Sequence, residues 1–225
     1  MTQKLASYFS GPLICGFLAL ILTGQSALAF ERLTEAQEWI YDRGHLANTQ
    51  MGQTLNYLLV GENTGADLPP VIEDKASLAV LATFDDGRRD VELEFLSGDR
   101  HIALPTFSGY RGNPIIIAML EHIAQSMSTK SGGGALYFRN RIRDALASPD
   151  VQLLEHKASY QDEEYTATRL ILHPFAGDQH LEEDDVLRQA VISIELSDGV
   201  PGGVISVAVS ARQDNQVFER SLSLM

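Results

Sequence analysis

The feature that most limits what this chain can fold into is a change of hydrophobic period near its middle. Over most of its length, apolar residues recur at every second position, the spacing of a strand with one buried face. Between Gly109 and Leu146 they recur at three and four. Within that stretch Gly112-Asn113-Pro114 reads as a helix start: an Asn at the N-cap accepts from free backbone N–H groups, and Pro at N1 lacks only a redundant donor. Ile116, Met119, Leu120, Ile123 and Met127 then share one face, widened by Ile115, Ala118 and His122, and the helix is predicted to run to about Met127. Ser131-Gly132-Gly133-Gly134 breaks it and is read as a hinge. A second helix follows from Ala135 to about Ala147, with Phe138, Ile142, Ala145 and Leu146 apolar and Arg139, Arg141 and Arg143 along its flank. Ser148-Pro149-Asp150 ends it.

The strands on either side carry the rest of the fold. Thr34-Glu35-Ala36-Gln37 has the form of a capping box ahead of Trp39, Ile40 and Tyr41, so a short helix opens the domain. Leu55, Tyr57 and Leu59 alternate on one strand, and Gly61–Pro70 is read as a polar loop. Lys75–Phe84 is a strand turned by Asp85-Asp86-Gly87, followed by the alternating Val91, Leu93 and Phe95 and a return strand over Arg100–Leu104. Beyond the helices, Val151–Tyr160 pairs with Glu164–His173, then Ile192, Ile194 and Leu196 with Ile205, Val207 and Val209. Val217–Leu224 is a last strand. Eight or so strands without helices between most of them exclude a parallel sheet. The expected fold is α+β, mainly β: a curved antiparallel sheet, open or a partial barrel, with a helical insertion at about 112–147.

Lys4, the uncharged apolar run Gly11–Leu22 and Ala27-Leu28-Ala29 form a signal peptide, residues 1–29, and cleavage leaves a single β-rich domain, residues 30–225, in the periplasm or outside the cell. The apolar run is too short for a membrane span, so no stable span is expected after cleavage. The only cysteine, Cys15, leaves with the leader, and with it any thiol chemistry. The net charge of −13 becomes one unit more negative without Lys4, a field that repels phosphates; nucleic acid is therefore not an expected partner.

Signatures of chemistry are sparse. There is no G-x-S-x-G elbow, and the glycines after Ser131 lack the strand and Lys of a phosphate loop. At the start of a helix they remain a candidate anion or partner contact together with Arg139, Arg141 and Arg143. His173, Asp178, His180, Glu182 and Glu183 gather metal-ligating types but match no ligand spacing. Asp42, Arg43 and His45 form a second polar cluster beside aromatic residues. Neither His45 nor His122 has a partner in sequence that would make it a general base. No catalytic residue, metal or cofactor is assigned, and the reading leans away from an enzyme, with a hydrolase or metal-dependent enzyme the least favoured alternative.

A secreted, cysteine-free chain with an antiparallel sheet and a mid-chain helical insertion resembles the LolA/LolB-like superfamily of envelope proteins. RGNPIIIAMLEHI (Arg111–Ile123), GGGALYFRNRIRDAL (Gly132–Leu146) and SDGVPGG (Ser197–Gly203) look like signatures of an uncharacterised family of secreted bacterial proteins. The first resemblance implies an unclosed sheet wrapped round helices that act as a lid, with an apolar cavity that receives acyl chains. In this chain Met119, Ile123, Met127, Phe138 and Ile142 would line that cavity. The expected function is non-enzymatic binding of a lipid, another apolar ligand or a lipidated envelope protein. The alternative is a module that docks another envelope protein through the arginine helix or a sheet edge.

Overall fold

The computed structural model describes residues 32–65 and 68–225; the expected signal peptide, residues 1–29, and Phe30 lie outside the described residues. The capping box forms as expected: the Thr34 hydroxyl accepts from Gln37 N–H at 3.2 Å and Gln37 Oε1 from Thr34 N–H at 2.9 Å, opening α1 (Glu35–Gln37), which widens into a π-helical turn, Glu38–Asp42. A meander follows: β1 (Thr54–Asn63), β2 (Val71–Thr83), β3 (Arg89–Phe95), and the short β4 (Ile102–Ala103) and β5 (Phe107–Tyr110), both paired with β3. Helices α2 (Pro114–Ser131) and α3 (Ala135–Leu146) interrupt it. A second meander completes the domain: β6 (Gln152–Tyr160), β7 (Glu163–Leu172), β8 (Val191–Leu196), β9 (Val204–Gln213) and β10 (Gln216–Leu224).

The two meanders join where the first strand meets the last, β1 pairing antiparallel with β10 through Leu59↔Leu222 and Gly61↔Arg220. The order is β4-β3-β2-β1-β10-β9-β8-β7-β6, open at both ends. The fold is thus α+β, mainly β: a ten-stranded open antiparallel sheet with two helices inserted mid-chain. Alternation explains which face is covered. Leu55, Tyr57 and Leu59; Ala76, Leu78 and Val80; Val91, Leu93 and Phe95; Ile192, Ile194 and Leu196; and Val207, Val209 and Ala211 are all buried, in one core cluster with the apolar stripes of α2 and α3. At about 25 cal/mol per Å², this shared layer is the main force holding helices to sheet.

Several expectations need correction. Gly61–Asn63 continue β1 rather than opening a loop, because Asn63 pairs with Phe218 and Gly61 lets the Arg220 side chain cross it; a Cβ on Gly61 would lie 2.7 Å from Arg220 Cδ. Gly109 belongs to β5, a strand too short to show alternation. α2 continues one turn past Met127, to Ser131, because Gly132 at φ 73° closes it with an N–H to the Ser128 carbonyl at 2.9 Å.

Candidate functional site

Two layers meet between α2, α3 and the inner face of the sheet, one apolar and one polar. In the apolar layer Met119, Ile123, Met127 and Phe138 are fully buried and Ile142 is nearly so; the structure brings all five into one cluster. Phe138 packs edge-on against Tyr137 and Phe175, with centroids 4.9 and 5.5 Å apart. Ile142 also reaches a shallow groove of 190 Å³ on the far side of the helices, beside Tyr41, Ile117 and Leu146.

Polar fastenings hold the helix pair at its ends. Asn113 caps α2, its Oδ1 accepting from Ile115 N–H at 3.1 Å, while its Nδ2 donates to the Tyr57 hydroxyl at 3.0 Å and the Gly202 carbonyl at 2.9 Å. Its own N–H donates to His45 Nδ1 at 3.3 Å. Burial brings the His45 pKa down to about 4, so this imidazole is a neutral structural acceptor. At the other end of α2, Lys130 Nζ donates to the Thr64 carbonyl at 2.8 Å and Asn63 Oδ1 at 3.2 Å. Thr34 Oγ1 donates to the Leu146 carbonyl at the end of α3, at 3.0 Å.

The three arginines of α3 each face a carboxylate of this chain. Arg139 forms a two-point pair with Glu121 of α2 at 2.7 and 2.5 Å, Arg141 Nε stands 2.7 Å from Asp178, and Arg143 pairs with Asp144 at 3.1 Å. Asp178 is buried and accepts from the Tyr137 hydroxyl at 2.6 Å and His180 N–H at 2.8 Å. Burial opposes its ionisation, but these hydrogen bonds and Arg141 outweigh it and hold the carboxyl below its ordinary value. The acidic loop is therefore turned inward at Asp178, whereas His173, Glu182 and Glu183 are exposed; among the described residues no group of three or more His, Cys, Asp or Glu is arranged to hold a metal. Arg43 lies 3.3 Å from the centroid of the Trp39 ring and pairs with Asp198 at 2.9 Å, so the second polar cluster is a stacking contact and an exposed ion pair.

A polar seam beside the apolar layer is absent from the sequence reading. Asp74 on β2 and Arg220 on β10 occupy inner-face positions, 4% and 2% exposed. Asp74 is fully engaged by Ser97 Oγ at 2.6 Å, Lys75 N–H at 2.9 Å and Arg100 Nε at 2.7 Å. Arg220 uses only NH1, donating to the carbonyls of Glu62 at 3.2 Å and Glu219 at 2.6 Å; its Nε is buried without a partner, and burial lowers its pKa. Above them on α2, His122 Nε2 is likewise buried and unpartnered, and the ring meets Phe95 edge-on. Burial first, then the Arg220 charge, brings the His122 pKa down to about 4, placing both groups in one electrostatic environment. The signal was present in sequence: charged residues in phase with apolar ones, as in Ile72-x-Asp74-x-Ala76 and Phe218-x-Arg220-x-Leu222.

A surface hollow of about 720 Å³ opens along β1, β10 and β9, with Gly61, Val209 and Arg220 among the residues that line it. Exposed side chains of the opposite face, such as Val60 and Val71, line it, and its carboxylates Glu62 and Glu219 already face Arg212. With both carboxylates already paired and its apolar side chains exposed, this hollow offers no enclosed apolar surface, and the helix–sheet layer is the better candidate for an apolar ligand.

Fold and site together define an open antiparallel sheet roofed by a helix pair, with an apolar layer edged by under-satisfied polar groups. No protein-family model matches the sequence, and no curated protein matches it. Among solved structures it is similar to the lipoprotein LppX of Mycobacterium tuberculosis, at 10% identity and a TM-score of 0.32, with 80% of this chain and 87% of that chain covered. Among the described residues no helix is long and apolar enough to cross a membrane.

Proposed function

We propose that this is a non-enzymatic protein of the periplasm or cell exterior that receives an apolar ligand, or the acyl chain of a lipidated partner, between α2–α3 and the inner face of the sheet. One observation carries this reading. The helix pair contributes Met119, Ile123, Met127, Phe138 and Ile142 to a continuous apolar layer against an open sheet, while its hydrogen bonds to the rest of the domain are gathered at the helix ends and the Asp178 loop. Two faces held that way can part without breaking a strand ladder, and the methionines offer adaptable contacts to whatever enters. Docking through the arginine helix has less support, since Arg139, Arg141 and Arg143 would each have to leave a carboxylate.

The test is native mass spectrometry of the mature chain purified without detergent, with organic extraction of bound material, followed by titration with a fluorescent fatty-acyl probe. Met119→Gln and Met127→Gln are expected to weaken probe binding more than they lower the melting temperature. A wild-type chain that neither carries nor takes up an acyl compound overturns the reading, and parallel loss of binding and folding in the variants removes the five residues from the site.

A further inference from the structure

Arg89 and Arg220 are both buried arginines without a carboxylate partner, and they are built differently. Arg89, 6% exposed, spreads its donors over five carbonyl contacts: Nε and NH2 to Thr49, NH2 also to Ala47, and NH1 to Phe84 and Arg88. That is a guanidinium used as structure. Arg220 is more deeply buried, yet both of its hydrogen bonds come from NH1, and nothing accepts from Nε or NH2 among the described residues. The Nε/NH2 edge is the one whose two N–H groups run parallel, the fork that grips both oxygens of a carboxylate or phosphate. A buried cation left half-satisfied is unfavourable, because a hydrophobic side chain of similar volume would serve packing better.

The surroundings are shaped for this side chain. Gly61 stands opposite it in β1, and a Cβ there would press on Arg220 Cδ at 2.7 Å and on Ile72 Cγ2 at 2.8 Å. Arg220 lies in the same cross-strand row as Val209 and Ile192 and its guanidinium carbon stands 5.1 Å from the ring centroid of the buried Phe218, so the side chain leaves the strand on the apolar face, while the residue also lines the hollow beside Gly61 and Val209. His122 brings a second buried and unpartnered nitrogen from the helix side.

We propose that the ligand is an anionic amphiphile, a long apolar chain ending in a carboxylate or phosphate, and that the free Nε/NH2 edge of Arg220 receives its head group, with His122 Nε2 as a second contact. This rests on the apolar-ligand reading above and adds the head-group class to it. The chain would lie along Met119, Ile123 and Met127, and the acid end would supply the counter-charge that Arg220 lacks. A free anion shares the head-group chemistry but leaves the apolar layer unused, and a neutral chain uses the layer but leaves Arg220 unpaired.

Calorimetric titration of the folded chain from Phe30 onward with oleate, oleyl alcohol and inorganic phosphate, each below its aggregation limit, separates these cases. Oleate is expected to bind at least about tenfold tighter than oleyl alcohol, and phosphate alone far more weakly than oleate. In Arg220→Met the ratio of oleate to alcohol affinity is expected to fall to about one, and in Arg220→Lys to an intermediate value, because an ammonium keeps the charge and loses the fork. The wild-type comparison decides the matter even if the Met variant does not fold. Equal affinities for oleate and oleyl alcohol overturn the head-group assignment and leave the apolar site standing. Failure of both chain ligands overturns both readings. Phosphate binding as tight as oleate overturns the amphiphile and leaves a free-anion site.

Discussion

The side-chain amide of Asn113 donates to the hydroxyl of Tyr57 at 3.0 Å, across 56 residues of sequence. Tyr57 is wholly buried on β1, Asn113 is the N-cap of α2, and the same amide nitrogen also holds the Gly202 carbonyl in the Ser197–Gly203 turn. One side chain thus fixes where the helix pair leaves the sheet. Asn113→Ala removes a cap and strands two buried groups, and is expected to cost about 3 kcal/mol in urea denaturation. Tyr57→Phe leaves the cap and the Gly202 contact intact, and is expected to cost about 1 kcal/mol. Equal effects of the two would mean that Asn113 does not act as the shared anchor.

Stability is expected to fall as pH drops from 6.5 towards 4. His45 and His122 both have pKa values near 4 in the fold against an ordinary 6.5. The unfolded chain therefore binds more protons than the folded one between those values. Their contribution is complete above pH 6.5 and lost as pH falls through the folded pKa. For His45, 3% exposed, the loss reaches about 3 kcal/mol by the lower end of the window, and half-buried His122 adds less. Urea midpoints at pH 7.5, 6 and 5 measure the slope; His45→Gln should flatten it, and a wild-type midpoint unchanged over that range would show that these rings are solvated.

Asp178 latches the loop before β8 to α3, through Tyr137 at 2.6 Å and Arg141 at 2.7 Å. Asp178→Ala leaves the Tyr137 hydroxyl without its acceptor and Arg141 without its ion-pair partner, and is expected to cost about 2 to 3 kcal/mol. The loss should be uneven. Amide hydrogen exchange should quicken along Ala135–Leu146 and much less in β9 and β10, and ligand association should quicken with it. Uniform acceleration across the chain would mean that Asp178 supports the whole domain and is not a latch for the helices.

The fold was legible because its forces are periodic. Alternation placed Leu55, Tyr57 and Leu59 on one face, and the three-and-four spacing placed Met119, Ile123 and Met127 on another, so the antiparallel class and the helical insertion followed without tertiary information. The pairing of β1 with β10 was not legible, since no local pattern says that the first strand closes on the last. The polar seam escaped for a different reason. Asp74 and Arg220 carry charges where the alternation calls for apolar side chains, and reading the strands by their apolar members alone passes over them. The arginines of α3 stood out as a group, whereas their carboxylates come from α2, from the next residue and from a loop 37 residues beyond Arg141, a set assembled only by folding.

Gly61 and Arg220 should be energetically coupled. Gly61→Ala drives a methyl group against Arg220 Cδ and also the Glu219 carbonyl oxygen at 2.6 Å, and overpacking of this kind costs about 1 to 3 kcal/mol. Arg220→Ala removes one of the three close contacts, leaving those to the Glu219 carbonyl oxygen and Ile72 Cγ2. A double-mutant cycle is therefore expected to show Gly61→Ala costing less in the Arg220→Ala background; purely additive effects would show that the missing Cβ serves the strand backbone and not the arginine.

The glycine link between the helices yields the sharpest separation of rate from affinity. Gly134 is the N-cap of α3 at φ −77°, has no side-chain cap, and a Cβ there meets nothing within 4 Å. Gly134→Ser therefore fits without strain, supplies the missing cap, and narrows the unfolded chain's conformations, for an expected gain of about 0.5 to 1 kcal/mol. Gly132, at φ 73°, is the opposite case: Gly132→Ala forces a left-handed conformation on a residue with a Cβ and should cost about 1 kcal/mol. If the helix pair must swing about this link to admit a ligand, Gly134→Ser should slow association and dissociation of an acyl probe together, leaving the equilibrium constant nearly unchanged. The apolar layer and the Arg220 edge are untouched by the change. A shift in affinity at constant association rate would place the link in contact with the ligand, and unchanged rates in both directions would mean that entry does not pass through movement of the helices.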